Sequence, residues 1–363
     1  MKRIISVLLL LVIFSFSACN VNKEDHSSSE EPLSTVLSNE TPNTSLSFDV
    51  PESDSKPVIP SYGCSWTLPN GADDENPVVF DGTPIKLTCS YENVGTGDFE
   101  MGIRVFIAGV LQSYCVEETP DEEYELFSFS LPEGEKKEYH ILVTPNVGSA
   151  GDELEMQLVD VTYPNYVVRT NDPAEGYDGV FSGFATINIR VLFNADAPTK
   201  EAVCTDFSGV KVSDVDPLIR MFWEYMSGSE TTGASNTYEN IYFYLYTSSV
   251  AEVLDADDIV ITHSDFLLKA DKDQQFIINL CGKPGKYRVA FFVNHQALPV
   301  FDGYSYADVQ VLDGQQTELI FHIDTTELNE FNHCYFTVYR VNDTFDAENE
   351  IMRAPTEKLN IIF

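Results

Sequence analysis

Seven cysteines, six histidines and 58 acidic side chains are the groups in this 363-residue chain that could do chemistry. Nucleophilic hydrolases present a serine or cysteine on a strained turn beside a base, and no GxSxG elbow occurs here. HExxH is absent, which excludes a zincin, and without a CxxC neither a zinc ribbon nor a thioredoxin-type redox pair is suggested. The histidines His26, His140, His263, His295, His322 and His333 are scattered. His333 adjoins Cys334, but adjacent strand positions point to opposite faces, so the pair is a poor metal corner. Asp73-Asp74-Glu75, Asp255-Ala256-Asp257-Asp258 and Asp271-Lys272-Asp273 invite a calcium reading, yet none completes a DxDxDG…E loop. These clusters read as solvated loop charge. No catalytic residue, metal or cofactor is expected.

The aromatic residues offer one binding candidate. Tyr242, Tyr244 and Tyr246 alternate with Phe243 and Leu245, so a strand there places the three tyrosines on one face. Such a face can stack on sugar rings, or it can be half-buried packing between sheets. Asn294-His295-Gln296 interrupts an apolar run with polar groups and suits a hairpin turn before Pro299.

A formal charge of −37 argues against nucleic acid as a partner, because a body this acidic repels a phosphate backbone. Residues 1–19, MKRIISVLLLLVIFSFSAC, open with Lys2 and Arg3, continue through an apolar run from Ile4 to Phe16, and close on small residues before Cys19. A run so short, with a charged start and a small-residue exit, reads as an export signal and not a permanent span. The Phe16-Ser17-Ala18-Cys19 ending resembles the lipobox of bacterial lipoproteins, with Phe16 where that family usually has Leu. The resemblance implies lipidation of Cys19, attachment to a bacterial membrane through that lipid, and folded parts outside the cytoplasm. Cleavage there removes two cations and no acids, taking the charge from −37 to −39. Residues 20–60 are rich in Ser, Thr, Asn, Pro and Glu and cannot bury enough apolar surface to order themselves. As a flexible tether they would span roughly 35 Å.

Beyond the tether the pattern is short β-type runs divided by Gly, Pro, Asn and Asp, as in Pro84–Cys89, Gly102–Ile107, Ala185–Phe193, Asn240–Tyr246 and Tyr335–Val341. The fold class expected is all-β, as two tandem immunoglobulin-like sandwiches, 61–196 and 197–363. The halves read as copies of one unit. Ile85–Cys89 matches Ile277–Cys281, Arg104–Gly109 matches Arg288–Asn294, Leu131–Ile141 matches Val311–Phe321, and Ile187–Phe193 matches Lys358–Phe363. The spacing from Gly134 to Glu155 equals that from Gly314 to Tyr335. Six cysteines after Cys19, three in each half, allow fifteen full pairings and equally allow buried free thiols.

Ser90–Gly109 resembles the NxGxG…VxxxxxG signature of CARDB-like modules, and Leu131-Pro-Glu-Gly-Glu135 is similar to that family's LxxGE turn. Asn93, Gly95 and Gly97 suit a tight turn needing positive φ, and Gly134 the opening of a hairpin strand. The resemblance covers about 60 residues of the first half. It implies sandwiches on a bacterial surface that adhere or space and do not catalyse. Two readings follow: a non-enzymatic surface lipoprotein contacting an unidentified protein or glycan, or a carbohydrate-binding or hydrolase-accessory lipoprotein using Tyr242, Tyr244 and Tyr246.

Overall fold

The computed structural model describes residues 61–69, 72, 76–165, 184–215, 241–247, 265–269, 273–329, 331–341, 352–353 and 357–362. Cys19, the export segment and the 20–60 tether lie outside the described residues. Alternation of apolar and polar residues, broken at turn residues, yields strands almost throughout. The first body holds β1 (Tyr62–Thr67), β2 (Val78–Phe80), β3 (Ile85–Asn93), β4 (Phe99–Ile107), β5 (Val110–Leu111), β6 (Tyr114–Val116), β7 (Thr119–Tyr124), β8 (Phe127–Leu131), β9 (Lys136–Val143), β10 (Glu153–Thr162) and β11 (Phe184–Phe193). The second holds β12 (Val203–Cys204), β13 (Val210–Asp214), β14 (Ile241–Thr247), β15 (Asp265–Lys269), β16 (Asp273–Gly282), β17 (Gly285–Val293), β18 (Gln296–Ala297), β19 (Tyr306–Val311), β20 (Gln315–Asp324), β21 (Phe331–Arg340), β22 (Met352–Arg353) and β23 (Glu357–Ile362).

The expected all-β class is what the chain adopts: four sheets forming two sandwiches. One sheet of the first runs β1-β3-β9-β6-β7, and the other runs β2-β11-β10-β4-β5 with β8 also on β4. The second repeats the plan, with β14-β16-β20-β13 facing β15-β23-β21-β17-β19-β12. In each sandwich one strand pairs parallel to the last, β2 with β11 and β15 with β23; β12 also pairs parallel to β19, and the other strand pairings are antiparallel. This is the strand distribution of an immunoglobulin-type sandwich. Segments that match in sequence occupy corresponding strands: β3 with β16, β4 with β17, β9 with β20, β10 with β21, and β11 with β23.

Each sandwich buries its own core. Leu87, Met101, Ile103, Ile141, Leu158 and Val191 pack in the first, and Phe276, Ile278, Val289, Phe291, Leu319 and Phe336 in the second. The strands β4, β10, β17 and β21 are buried on both faces, and their second faces meet. Phe106, Val159 and Val161 from the first sandwich pack with Ala290, Phe292, Tyr335 and Tyr339 from the second in one apolar cluster. A strand covered on both sides reads as a near-continuous apolar run, which is why β4 and β17 lack clean alternation.

The glycine-rich turn after β3 is a structural device. Asn93 Nδ2 donates to the carbonyls of Gly97 (2.9 Å) and Leu131 (3.0 Å), and Asn93 Oδ1 accepts from Gly95 N–H (2.9 Å). Glu133 accepts from Gly97 N–H at 2.8 Å, so the two motif turns are tied to each other. Gly97 and Gly134 have φ of 75° and 73°, as the turn reading expects; Asn93 and Gly95 do not need positive φ, because the Asn93 side chain makes the turn instead. Gly314, the partner of Gly134 in the second half, has φ 69°.

Candidate functional site

The densest group of buried polar atoms lies where the two sandwiches meet. It starts with two arginines on corresponding strands, Arg104 on β4 and Arg288 on β17. Each sits on the outward face of its strand, between core-facing residues, and each reaches into the other sandwich. Arg104 is fully buried. Its Nη1 donates to the Tyr335 hydroxyl and its Nη2 to the His295 carbonyl at 2.9 Å. Its guanidinium carbon lies 4.6 Å from the Phe292 ring centroid and 5.2 Å from that of Phe106. Arg288 donates through Nη1 to the Ala108 carbonyl at 2.8 Å, and through Nε and Nη2 to the two Asp308 oxygens at 2.7 and 3.0 Å. Lys286 adds a second cation on Asp308 at 2.9 Å.

The two carbonyls reached across the junction lie in matching turns, Ala108 first in its turn and His295 second. Ala108-Gly109 joins β4 to β5, and Asn294-His295 joins β17 to β18. All four residues have positive φ: 48° and 75°, then 48° and 67°. Two-residue hairpins with that geometry follow the strand twist, so the sequence builds the same turn twice. Each turn presents its carbonyl to the other sandwich's arginine. The hairpin read from Asn294-His295-Gln296 is present, but its imidazole also belongs to the junction: His295 Nδ1 lies 3.1 Å from the Tyr335 hydroxyl and Nε2 2.7 Å from the Pro164 carbonyl. Leu111 N–H donates to the Tyr306 hydroxyl at 3.1 Å, and burial pushes the Tyr306 pKa up. Gly109 is obligatory for a second reason: a Cβ there would stand 2.6 Å from Tyr339 Cβ.

Beside Arg288 a cleft of about 140 Å3 opens between the sandwiches, lined by Gly148, Asp152, Glu155 and Tyr339 among others. Arg288, which lines it, already has Nε, Nη1 and Nη2 engaged, so the junction's chemistry is cohesion: cations held by aromatic faces, carbonyl dipoles and one carboxylate.

A second buried polar group lies inside the first sandwich. Asp160 on β10 turns into the core, where Tyr91 donates its hydroxyl to Oδ1 at 2.6 Å. Asp160 Oδ2 meets no donor at hydrogen-bonding geometry, although the Tyr62 hydroxyl and Cys64 thiol are close enough to lower the acid's pKa slightly. Burial outweighs these contacts and raises the Asp160 pKa from 3.8 to about 6. Burial, with Asp160 beside it, lifts the Cys64 thiol to about 11, and Cys89 rises to about 12 for the same two causes.

The sequence-based candidates fall elsewhere. Cys19 is outside the described residues. Tyr242, Tyr244 and Tyr246 lie on β14, where the register sets them opposite Cys281, Asn279 and Ile277; their side chains are outside the described residues. His140 Nδ1 lies 3.0 Å from Thr88 Oγ1, and His322 Nδ1 lies 2.9 Å from Asp273 on an exposed face. Cys64, Cys89, Cys115, Cys204, Cys281 and Cys334 are all unbridged thiols, four of them buried. Among the described residues no cluster of three or more His, Cys, Asp or Glu could hold a metal ion. Sequence reasoning missed Arg104, Arg288 and Tyr335 as a group. The available signal was an arginine inside the corresponding apolar strand of each half.

No family model matches the chain, and no curated protein sequence matches it. Among solved structures, the chaperone–tip adhesion subunit pre-assembly complex CsuC–CsuE from archaic chaperone-usher Csu pili of Acinetobacter baumannii aligns over 79% of this chain and 95% of that one. Its identity is 10% and its TM-score 0.19. Red sea bream transglutaminase aligns over 84% of this chain and 32% of its own, at 7% identity and TM-score 0.17. Overlays this loose carry no argument about ligand or activity.

Proposed function

We propose that this chain is an exported, non-enzymatic surface lipoprotein in which Cys19 carries the lipid and the paired sandwiches form one rigid arm that engages an envelope or extracellular partner. The observation that supports the arm is the reciprocal junction. Arg104 reaches the His295 carbonyl and Arg288 the Ala108 carbonyl over a shared apolar cluster. Domains joined by small polar contacts move freely, whereas a junction closed by an apolar cluster and crossed by hydrogen-bonded arginines does not. Two sandwiches locked in this way hold a fixed distance and orientation, which suits presentation. The lipid rests on the Phe16–Cys19 ending of the sequence alone.

The test combines labelling with fractionation. Palmitate label and membrane association should both be lost in Cys19→Ala, while the released chain keeps the melting profile of the parent. Label that persists in Cys19→Ala removes the lipid assignment. In the same preparation, glycan binding that disappears when Tyr242, Tyr244 and Tyr246 are replaced by Ala would replace the protein-partner reading with the carbohydrate one.

A further inference from the structure

The sandwiches differ at one sheet edge. In the first, β6 lies beside β9, and β7 lies beyond β6 as the last strand. β7 has the sequence TPDEEY, and its Pro120 with Asp121, Glu122 and Glu123 makes an edge that resists further pairing. In the second sandwich β13 lies beside β20 as β6 lies beside β9, and among the described residues no strand follows it. β13 reads VKVSD, without proline, and Val210 and Val212 are 36% and 45% exposed. Next to it a groove of about 260 Å3 opens between the two sheets, with buried Phe207 and Val309 in its lining and Leu312, 47% exposed, at its rim. Single exposed valines need no explanation, but three exposed apolar side chains along a groove that borders an edge with no further strand among the described residues form a docking surface.

We propose that β13 is the docking edge for an extended segment of a partner protein, with alternating apolar and basic residues, which adds to the β14-β16-β20-β13 sheet as a fifth strand. Main-chain hydrogen bonds to β13 hold the segment, and every second side chain enters the groove beside Phe207 and Val309. Asp206 lines the groove, and exposed Asp214 and Asp313 stand at the end of β13 and in the turn between β19 and β20. Charge selects this occupant over a second copy of the chain: two bodies of charge −37 repel each other, while a basic segment is drawn in. The lone cation of β13, Lys211, is already paired with Glu318 at 3.1 Å and does not oppose it. This inference names a partner for the presentation reading above. It does not need the lipid, so loss of that assignment leaves it standing.

The test uses the full-length chain and three labelled ten-residue peptides: alternating Val and Lys, alternating Ser and Lys, and alternating Val and Glu. The Val/Lys peptide should bind about tenfold or more tighter than either control, a difference of about 1.4 kcal/mol or more. It should also slow amide exchange selectively over 210–214. Val210→Thr combined with Val212→Thr, which keeps charge and strand propensity, should weaken it about tenfold. Equal binding of the Ser/Lys peptide would reduce the effect to bulk charge and overturn the proposal, as would exchange protection elsewhere. Sedimentation that shows the free chain pairing through β13 would overturn it in favour of self-association. If the double variant loses its folded circular dichroism spectrum, the exchange map of the parent chain decides.

Discussion

Arg104 and Arg288 stand on the corresponding strands β4 and β17, yet their charges are handled in opposite ways. Arg288 has a bidentate carboxylate, Asp308, which is itself shared with Lys286. Arg104 has no carboxylate within ion-pair distance among the described residues; aromatic rings and two oxygens surround it, and its Nε is left without a hydrogen-bond partner. The first arrangement is anchored within its own sandwich and touches the other through one bond. The second is completed almost entirely by the opposite sandwich, through Tyr335, Phe292 and His295. Similar side chains on similar strands therefore do different work: Arg288 fixes a turn, and Arg104 depends on the junction being closed.

Replacement of Arg104 should cost the most. Arg104→Ala removes the ring stacking and the hydrogen bonds to the Tyr335 hydroxyl and His295 carbonyl, for a loss of about 3–4 kcal/mol. Calorimetry should then resolve two transitions where the parent shows one. Arg104→Lys should rescue little, because an ammonium cannot reproduce the planar fork and stack. A single unchanged transition in both variants would break the contrast.

Next is Gly109→Ala, which combines a left-handed backbone with a Cβ placed against Tyr339. Loss of about 2–3 kcal/mol is expected from strain and overpacking together. The matching turn at Asn294-His295 already tolerates side chains, so the cost should be specific to the first hairpin. Arg288→Ala ranks below both at about 2 kcal/mol, since Lys286 still partners Asp308. Chemical denaturation ranks the three, and an Arg288 effect larger than that of Arg104 would invert the comparison.

The smallest effect separates the first core from the second. Asp160 binds its proton more tightly folded than unfolded, because its pKa is raised from 3.8 to about 6. The sign follows: its favourable contribution is complete below about pH 4 and is lost as pH rises through about 6. At pH 7 the ionised carboxylate costs on the order of 2 kcal/mol. Asp160→Asn can still accept from Tyr91, so it should raise the melting temperature at pH 7 and flatten the decline between pH 4 and 6. Parallel pH–melting curves for parent and variant would remove Asp160 as the cause.

The strands were legible because their residues alternate or run apolar between turn residues. Ile85–Cys89 and Ile277–Cys281 do lie on corresponding strands, but the residue match is out of phase: Ile85, Leu87 and Cys89 face the first core, whereas Phe276, Ile278 and Leu280 face the second. Gly97 and Gly134 announced positive φ correctly. Gly95 did not, since an asparagine side chain can replace a backbone turn and leaves no glycine-like mark. Buried Arg104 was harder to see. An arginine flanked by Val, Phe and Ile has the same sequence appearance whether it snorkels to water or is sealed by a second domain. Asp160 was hidden among 58 acids, one core carboxylate that burial alone distinguishes.

By itself the sequence determined the all-β class, the position of most turns and the correspondence between the two halves, because periodicity and turn chemistry are local properties. The tertiary structure alone decided that β4, β10, β17 and β21 are buried twice, that the two hairpin carbonyls cross to opposing arginines, and that β13 ends its sheet among the described residues with valines exposed. Each of those outcomes depends on which surface meets which. A pattern of apolar residues states that a face must be covered, and only the packed chain says by what.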